Sequence, residues 1–270
     1  MKLLLLKNRQ VNWICDAYQK QERILRALKK WTKTIRERLG QWVTGSIVPL
    51  IQRGIELQGL PAKVSLSGKD GDAVLIDYDH VAAGSGYVPP TVTLDFGARS
   101  TGEPCTPKPV TCDAAKNLPE LVFPISTPRV MKVERTFWEK ATAIHVLCMG
   151  GKLRGGPRFS RHWYDVVQLD RFGHAASAIS MPDIAKQVAT HKAVFFAEKA
   201  ESGATIEYAT AISGGLRLVP EGTRLDELQK DYQRMVDDGL LLDAAEPFDA
   251  ILDGCRQLQE RANTSMSAKK

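Results

Sequence analysis

The hydrophobic period of this chain changes twice, which limits it to a small sheet set between helical segments. From about Trp13 to Leu57 apolar residues recur at three- and four-residue steps. Ile24, Leu28, Trp31, Ile35, Leu39, Trp42 and Leu50 fall on one stripe, while Lys20, Arg23, Arg26, Lys29, Lys30, Lys33, Arg36 and Arg38 crowd the rest. Gly40, Gly45 and Pro49 divide this run into two or three helices. The period then drops to two. Val64 and Leu66 alternate with Ser65 and Ser67, Gly68 to Asp72 supplies a turn, and Val74, Ile76 and Tyr78 alternate again, which predicts a β-hairpin. Past Pro89-Pro90, Val92, Leu94 and Phe96 point one way and Thr91, Thr93 and Asp95 the other. A third antiparallel strand follows, with Asp95 on its polar face. Between Arg99 and Pro128 the chain is rich in Pro, Gly and Thr and reads as a connection over the sheet, with a short strand at Leu121-Val122-Phe123.

Helical period returns at Glu134. Phe137, Ala141, Ile144 and Cys148 form the seam of one helix, which leaves Glu139 and Lys140 on its flanks. After a Gly-rich basic loop, Ser160 stands as an N-cap, and Arg161 and Asp165 share a face of the next helix one turn apart. A surface salt-bridged hairpin has no need of Phe137, Trp138, Trp163 and Tyr164 beside those ions, so the pattern points to a partly buried polar site. There Lys140 can serve as a point charge for a triphosphate, and Asp165 can orient it or position a hydroxyl; a plain helix–helix salt bridge is the competing reading. Farther on, Pro182 opens a helix ending near Ala200, Leu216 to Val219 is extended, and two helices cover Leu225 to Met235 and Phe248 to Arg261. This divides the chain into an α/β domain over 1–128, a helical domain over 129–262 and a tail over 263–270.

The formal net charge of +6 favours a polyanionic partner, with a solvated basic surface as the alternative. Leu3 to Leu6 are followed at once by Lys7, too short a run for a signal peptide, and no stretch approaches a membrane span, so the expected protein is cytoplasmic. Cys15, Cys105, Cys112, Cys148 and Cys255 are scattered and read as reduced thiols. Three motifs are incomplete. Gly150-Gly151-Lys152 lacks the upstream glycine and the following Ser or Thr of a Walker loop. His162 near Asp165 has no nucleophile to complete a triad. Asp77-Tyr78-Asp79 has the spacing of a two-carboxylate metal grip, and equally that of a strand end running into a turn.

Five blocks carry a resemblance: Leu94 to Ser100, Glu134 to Ala141, Arg158 to Asp165, His191 to Phe196 and Leu216 to Pro220. In order and approximate spacing they resemble the AbiEii/AbiGii-type nucleotidyltransferase toxin family over nearly the whole chain. The resemblance implies a nucleotidyltransferase-like α/β (α+β) fold, a mixed or antiparallel sheet flanked by helices with a helical C-terminal half. It also implies transfer of a nucleotide from a nucleoside triphosphate (NTP) to an acceptor. Members act as toxins of toxin–antitoxin and abortive-infection (phage-defence) systems, and some modify the acceptor end of tRNA, so RNA and a cognate antitoxin are the implied partners. Carried over, Lys140 binds the triphosphate, Asp165 is the catalytic carboxylate, and Asp95 is the third acid and a ligand of magnesium (Mg2+). Arg99, Arg161, His162 and Lys192 are the implied nucleotide or RNA contacts. The family's Gly-Gly-Thr turn and Asp-x-Asp strand do not precede the basic helices, so the chain is expected to start just after them with an incomplete magnesium site. Two functions follow: a magnesium-dependent nucleotidyltransferase toxin, or a catalytically inactive relative that binds RNA or an antitoxin.

Overall fold

The computed structural model describes residues 30–68, 71–80, 89–99, 101–150, 158–241 and 245–268. The expected helix before residue 30, Cys15 and the body of the Gly-rich loop lie outside them. Two compact units divide the chain, Met1–Thr101 and Gly102–Lys270.

In the N-terminal unit, helix α1 (30–42 among the described residues) runs through a π-helical turn, Val43–Ile47, into α2 (Val48–Leu57). The breaks expected at Gly40, Gly45 and Pro49 do not form. Trp42, Ile47 and Val48 all keep right-handed helical dihedrals, and Pro49 sits in the first turn of α2, where its missing N–H is least costly. The Val48 N–H instead reaches back five residues to the Val43 carbonyl, so a local widening of the helix replaces a break. Gly59, at φ +62°, then reverses the chain into the sheet.

The sheet is as the alternation predicts. Strands β1 (Ala62–Ser67), β2 (Ala73–Tyr78) and β3 (Thr91–Asp95) are antiparallel in the order β1-β2-β3. Val64 pairs with Ile76, Leu66 with Val74, Val74 with Leu94 and Ala73 with Asp95. Among the described residues of this unit the buried apolar side chains are Val43, Ala73 and Val74.

The C-terminal unit begins with a two-stranded ribbon, β4 (Cys105–Pro107) against β5 (Arg129–Met131), continued by a Val110–Ser126 bridge. The strand expected at Leu121-Val122-Phe123 is absent. The Leu121 N–H closes a turn on Leu118, Val122 is fully exposed, and Pro124 cannot donate to a ladder. Among the described residues seven helices follow: α3 (Val133–Cys148), α4 (Arg161–Arg171), α5 (His174–Ser180), α6 (Pro182–Phe195), α7 (Tyr208–Ala211), α8 (Thr223–Asp237) and α9 (Phe248–Ser267). Helix α6 stops short of the expected Ala200 because Phe196 leaves helical geometry and Lys199 bridges to Thr205. The chain is thus an α+β protein with a helical C-terminal half.

Helix α3 is the axis of this unit, packing on α4, α5 and α6. Its Phe137, Trp138, Ala141 and Ile144 are fully buried with Trp163 and Val166 of α4 and Ile251, Cys255 and Leu258 of α9. Each of the larger aliphatic and phenyl side chains among these contributes about 1.5–3 kcal/mol by leaving water.

The extended piece at Leu216–Leu218 pairs with no strand, although both leucines are buried. Buried backbone groups must still be satisfied, and side chains from three helices do it. Asn263 accepts from Leu216 N (2.7 Å) and donates to Leu216 O (2.9 Å). Gln259 accepts from Leu218 N (2.6 Å), Trp163 Nε1 donates to Leu218 O (2.8 Å), and His145 Nδ1 accepts from Arg217 N (3.1 Å).

Candidate functional site

The site starts from which faces α3 and α4 bury. The apolar seam of α3 is consumed by the core, so Lys140, about 60° of helix angle to one side of Phe137, lies at the boundary. On α4, Trp163, Val166 and Val167 are buried, and Asp165 is set to the side. The two flanks meet: Lys140 Nζ donates to Asp165 Oδ2 at 2.6 Å, with the side chains 24% and 34% exposed. Two residues 25 positions apart therefore form one partly buried ion pair.

The entry to α4 is held differently from the expectation. Ser160 occupies the N-cap position but is in helical geometry and makes no capping bond. Its hydroxyl donates to Asp231 Oδ2 (2.7 Å), and the same carboxylate accepts from Ser160 N (2.9 Å) and Arg158 N (2.7 Å). Arg158 is at φ +72°, a left-handed conformation that costs a residue with a Cβ about 1 kcal/mol. Asp231 on α8 thus offsets local strain immediately before the Arg161–Asp165 turn. Nothing local in the sequence signals this role, since Asp231 lies 71 residues from Ser160.

Beside the pair stands His162, its ring edge-on to Phe159 at 4.6 Å. Burial, reinforced by Lys140 and Arg161 and opposed by Asp165, pushes its pKa down to about 4, so the imidazole is uncharged at neutral pH. Its buried Nδ1 has no protein partner, which favours the tautomer with the proton on Nε2. Arg161 is exposed at the first position of α4.

A second set of ions lies inward. Lys192 of α6 is only 7% exposed. Its Nζ donates to the Glu139 main-chain carbonyl at 2.5 Å and stands 3.3 Å from Glu139 Oε2. Arg135, 3% exposed, donates from Nη2 to Glu139 Oε1 at 3.0 Å. Burial holds the Lys192 pKa below its usual value, against the pull of Glu139. Arg135 did not stand out in the sequence, and Glu139 was placed on a helix flank without its partners, because an i, i+4 pair of opposite charge reads as a solvated helix face. His145 was also missed. Burial, with Arg217 adding to it, lowers its pKa to about 4.

Of the residues implied by resemblance, Lys140, Arg161, His162, Asp165 and Lys192 come together in the C-terminal unit. Asp95, exposed at the end of β3, and Arg99, partly buried beyond it, belong to the N-terminal unit. Asp77 accepts a hydrogen bond from Thr91 Oγ1 across the β2–β3 pair at 2.7 Å. Among the described residues no three His, Cys, Asp or Glu side chains converge as a metal-holding group. Among them, too, no helix is long and apolar enough to cross a membrane.

A family model described as Nucleotidyl transferase AbiEii toxin, Type IV TA system, matches residues 17–254. No curated protein matches the chain, and neither does any solved structure.

Proposed function

The chain belongs to the AbiEii nucleotidyltransferase toxin family of toxin–antitoxin systems, and on that premise we propose that it transfers a nucleotide from an NTP to an RNA acceptor. The tRNA 3′ end is the proposed acceptor, and the setting is a phage-defence system in the cytoplasm. Family membership itself implies an antitoxin partner. The observation that carries the reading is the Lys140–Asp165 pair, a cation and a carboxylate held at 2.6 Å on a part-exposed boundary.

In the reaction the acceptor hydroxyl oxygen bonds to the α-phosphorus, the α–β bridging bond breaks, and pyrophosphate leaves. Lys140 places a positive charge on the triphosphate, and Asp165 orients that ammonium, positions the hydroxyl and takes its proton. Arg161 at the mouth of the site adds charge for phosphate, and neutral His162 offers an N–H without adding charge. Asp95 and Arg99 complete the proposal as third acid and phosphate or RNA contact. Magnesium would serve such a transfer by neutralising the leaving pyrophosphate. Asp95, the implied ligand, would hold that ion together with the phosphates of the substrate.

The formal net charge of +6 also suits a second reading, a non-catalytic relative that binds RNA or the antitoxin. Radiolabelled NTPs, each in turn, offered with total tRNA to the wild-type chain and to Lys140→Ala separate the two. Transfer is expected from the wild type and a fall of about 100-fold in the variant. Equal labelling by both refutes the role of Lys140, and retention of RNA without labelling selects the binding protein.

A further inference from the structure

The Lys140–Asp165 pair is the outer end of a longer charge arrangement, and its inner end bears on the backbone of the site. Lys192 donates to the carbonyl of the peptide that joins Glu139 to Lys140. Thr142 Oγ1 stands 3.3 Å from the same oxygen. A mid-helix carbonyl ordinarily serves one helical N–H, yet this one also draws an ammonium from another helix. Burying an ammonium costs several kcal/mol before its partners repay it. Helix packing alone has no need of that cost, since an apolar side chain of similar length fills the same space. At 7% exposure, with its Nζ engaged twice, Lys192 is placed to act on Glu139 rather than on a ligand in solvent.

The Glu139 carboxylate is gripped from both sides, by Arg135 on its own helix and by Lys192 from α6. This fixes the side chain and the peptide of the residue immediately before Lys140. We infer that Lys192 and Arg135 are positioning residues that lock the Glu139–Lys140 peptide, so that the Lys140 ammonium is presented to Asp165 and to a polyphosphate in one orientation. The inference rests on the reading of Lys140–Asp165 as a triphosphate site. With two cations on one carboxylate, the inner cluster also leaves a positive field behind Lys140, which favours a polyanionic ligand.

The test uses the full chain and inorganic tripolyphosphate as probe. Lys192→Met removes the inner ammonium and leaves Arg135 and Glu139 as a balanced pair. Titration calorimetry reads tripolyphosphate affinity, peptide mass spectrometry reads the acylation rate of Lys140, and thermal melting reads the fold. Affinity is expected to fall about tenfold, as a misplaced binding group requires. Lys140 should acylate several-fold faster as Asp165 loses its hold, while melting stays near that of the wild type. A variant that melts early yet leaves affinity and Lys140 reactivity unmoved is what a merely structural lysine gives, and it overturns the inference. Unchanged readouts with a wild type that binds also overturn it, and leave the site reading standing. A wild type that binds no tripolyphosphate overturns both. Should Lys192→Met not fold, Lys192→Arg, which keeps the charge but cannot seat a single ammonium on the carbonyl, takes its place with the same outcomes.

Discussion

Acid should destabilise this fold before its carboxylates begin to titrate, and His145 shows why. The ring is 1% exposed, its Nδ1 accepts from Arg217 N, and its pKa in the folded state is about 4 against 6.5 for a free histidine. Because the folded value is the lower one, the unfolded chain binds a proton first as pH falls. The contribution of His145 is therefore complete above about pH 6.5 and is lost progressively toward pH 4. Linkage puts the loss from this group at about 2 kcal/mol between pH 7 and pH 5, and about 3 kcal/mol by pH 4. His162, with its pKa lowered in the same direction, adds to the slope. The clean perturbation is His145→Asn, whose Oδ1 stands near the position of Nδ1 and can still accept from Arg217 N. Urea denaturation at pH 7 and pH 5 gives a double difference in which every other titrating group cancels. The variant should be less stable at pH 7, but its further loss on going to pH 5 should be smaller than that of the wild type by about 2 kcal/mol. An equal loss in both proteins would refute the argument that this histidine is held neutral by burial.

Lys140→Met should cost under about 1 kcal/mol in thermal melting, because part-exposed ion pairs contribute little, while tripolyphosphate binding collapses; a large melting shift would make the pair structural. Asp231→Asn turns an amide toward three donors and should destabilise by about 2 kcal/mol, with increased amide exchange around Arg158; unchanged exchange there would refute the anchoring role. Asn263→Leu strands the N–H and the carbonyl of Leu216, and a loss of about 2–4 kcal/mol is expected by urea titration. A near-neutral result would mean that the Leu216 backbone finds other partners.

What the sequence made legible follows from local period. The three-strand sheet was visible because Val64, Leu66, Val74, Ile76, Val92 and Leu94 alternate without interruption, and α3 and α4 because their apolar residues recur at helical steps. Lys140 and Asp165 could be brought together because each is the polar flank of a helix with a strongly apolar seam. What stayed hidden depends on contacts between distant residues. Asp231, His145 and Arg135 look like ordinary helix polar positions until tertiary packing engages them, and Lys192, marked only as an implied ligand contact, gives no local sign of its pairing with Glu139. The break expected at Pro49 failed for a related reason, since a wider helical turn dissipates a proline's demand without changing composition. At Leu121-Val122-Phe123 the composition of a strand was present but a partner was not.

The side-chain clamp on Leu216–Leu218 has a kinetic consequence. Its partners come from α3, α4 and α9, the last more than forty residues downstream, so the full set of backbone groups is not satisfied until all three helices have docked. In a sheet, an extended segment can pair with its neighbour as soon as the two meet; this one has to wait for the whole helical array. The Leu216, Arg217 and Leu218 amides should therefore be among the last to gain protection as the unit assembles, and they should exchange with solvent only through its global opening. Their exchange rates in the native state then serve as an internal gauge of the stability of the entire helical unit, read from three adjacent residues that belong to no regular element.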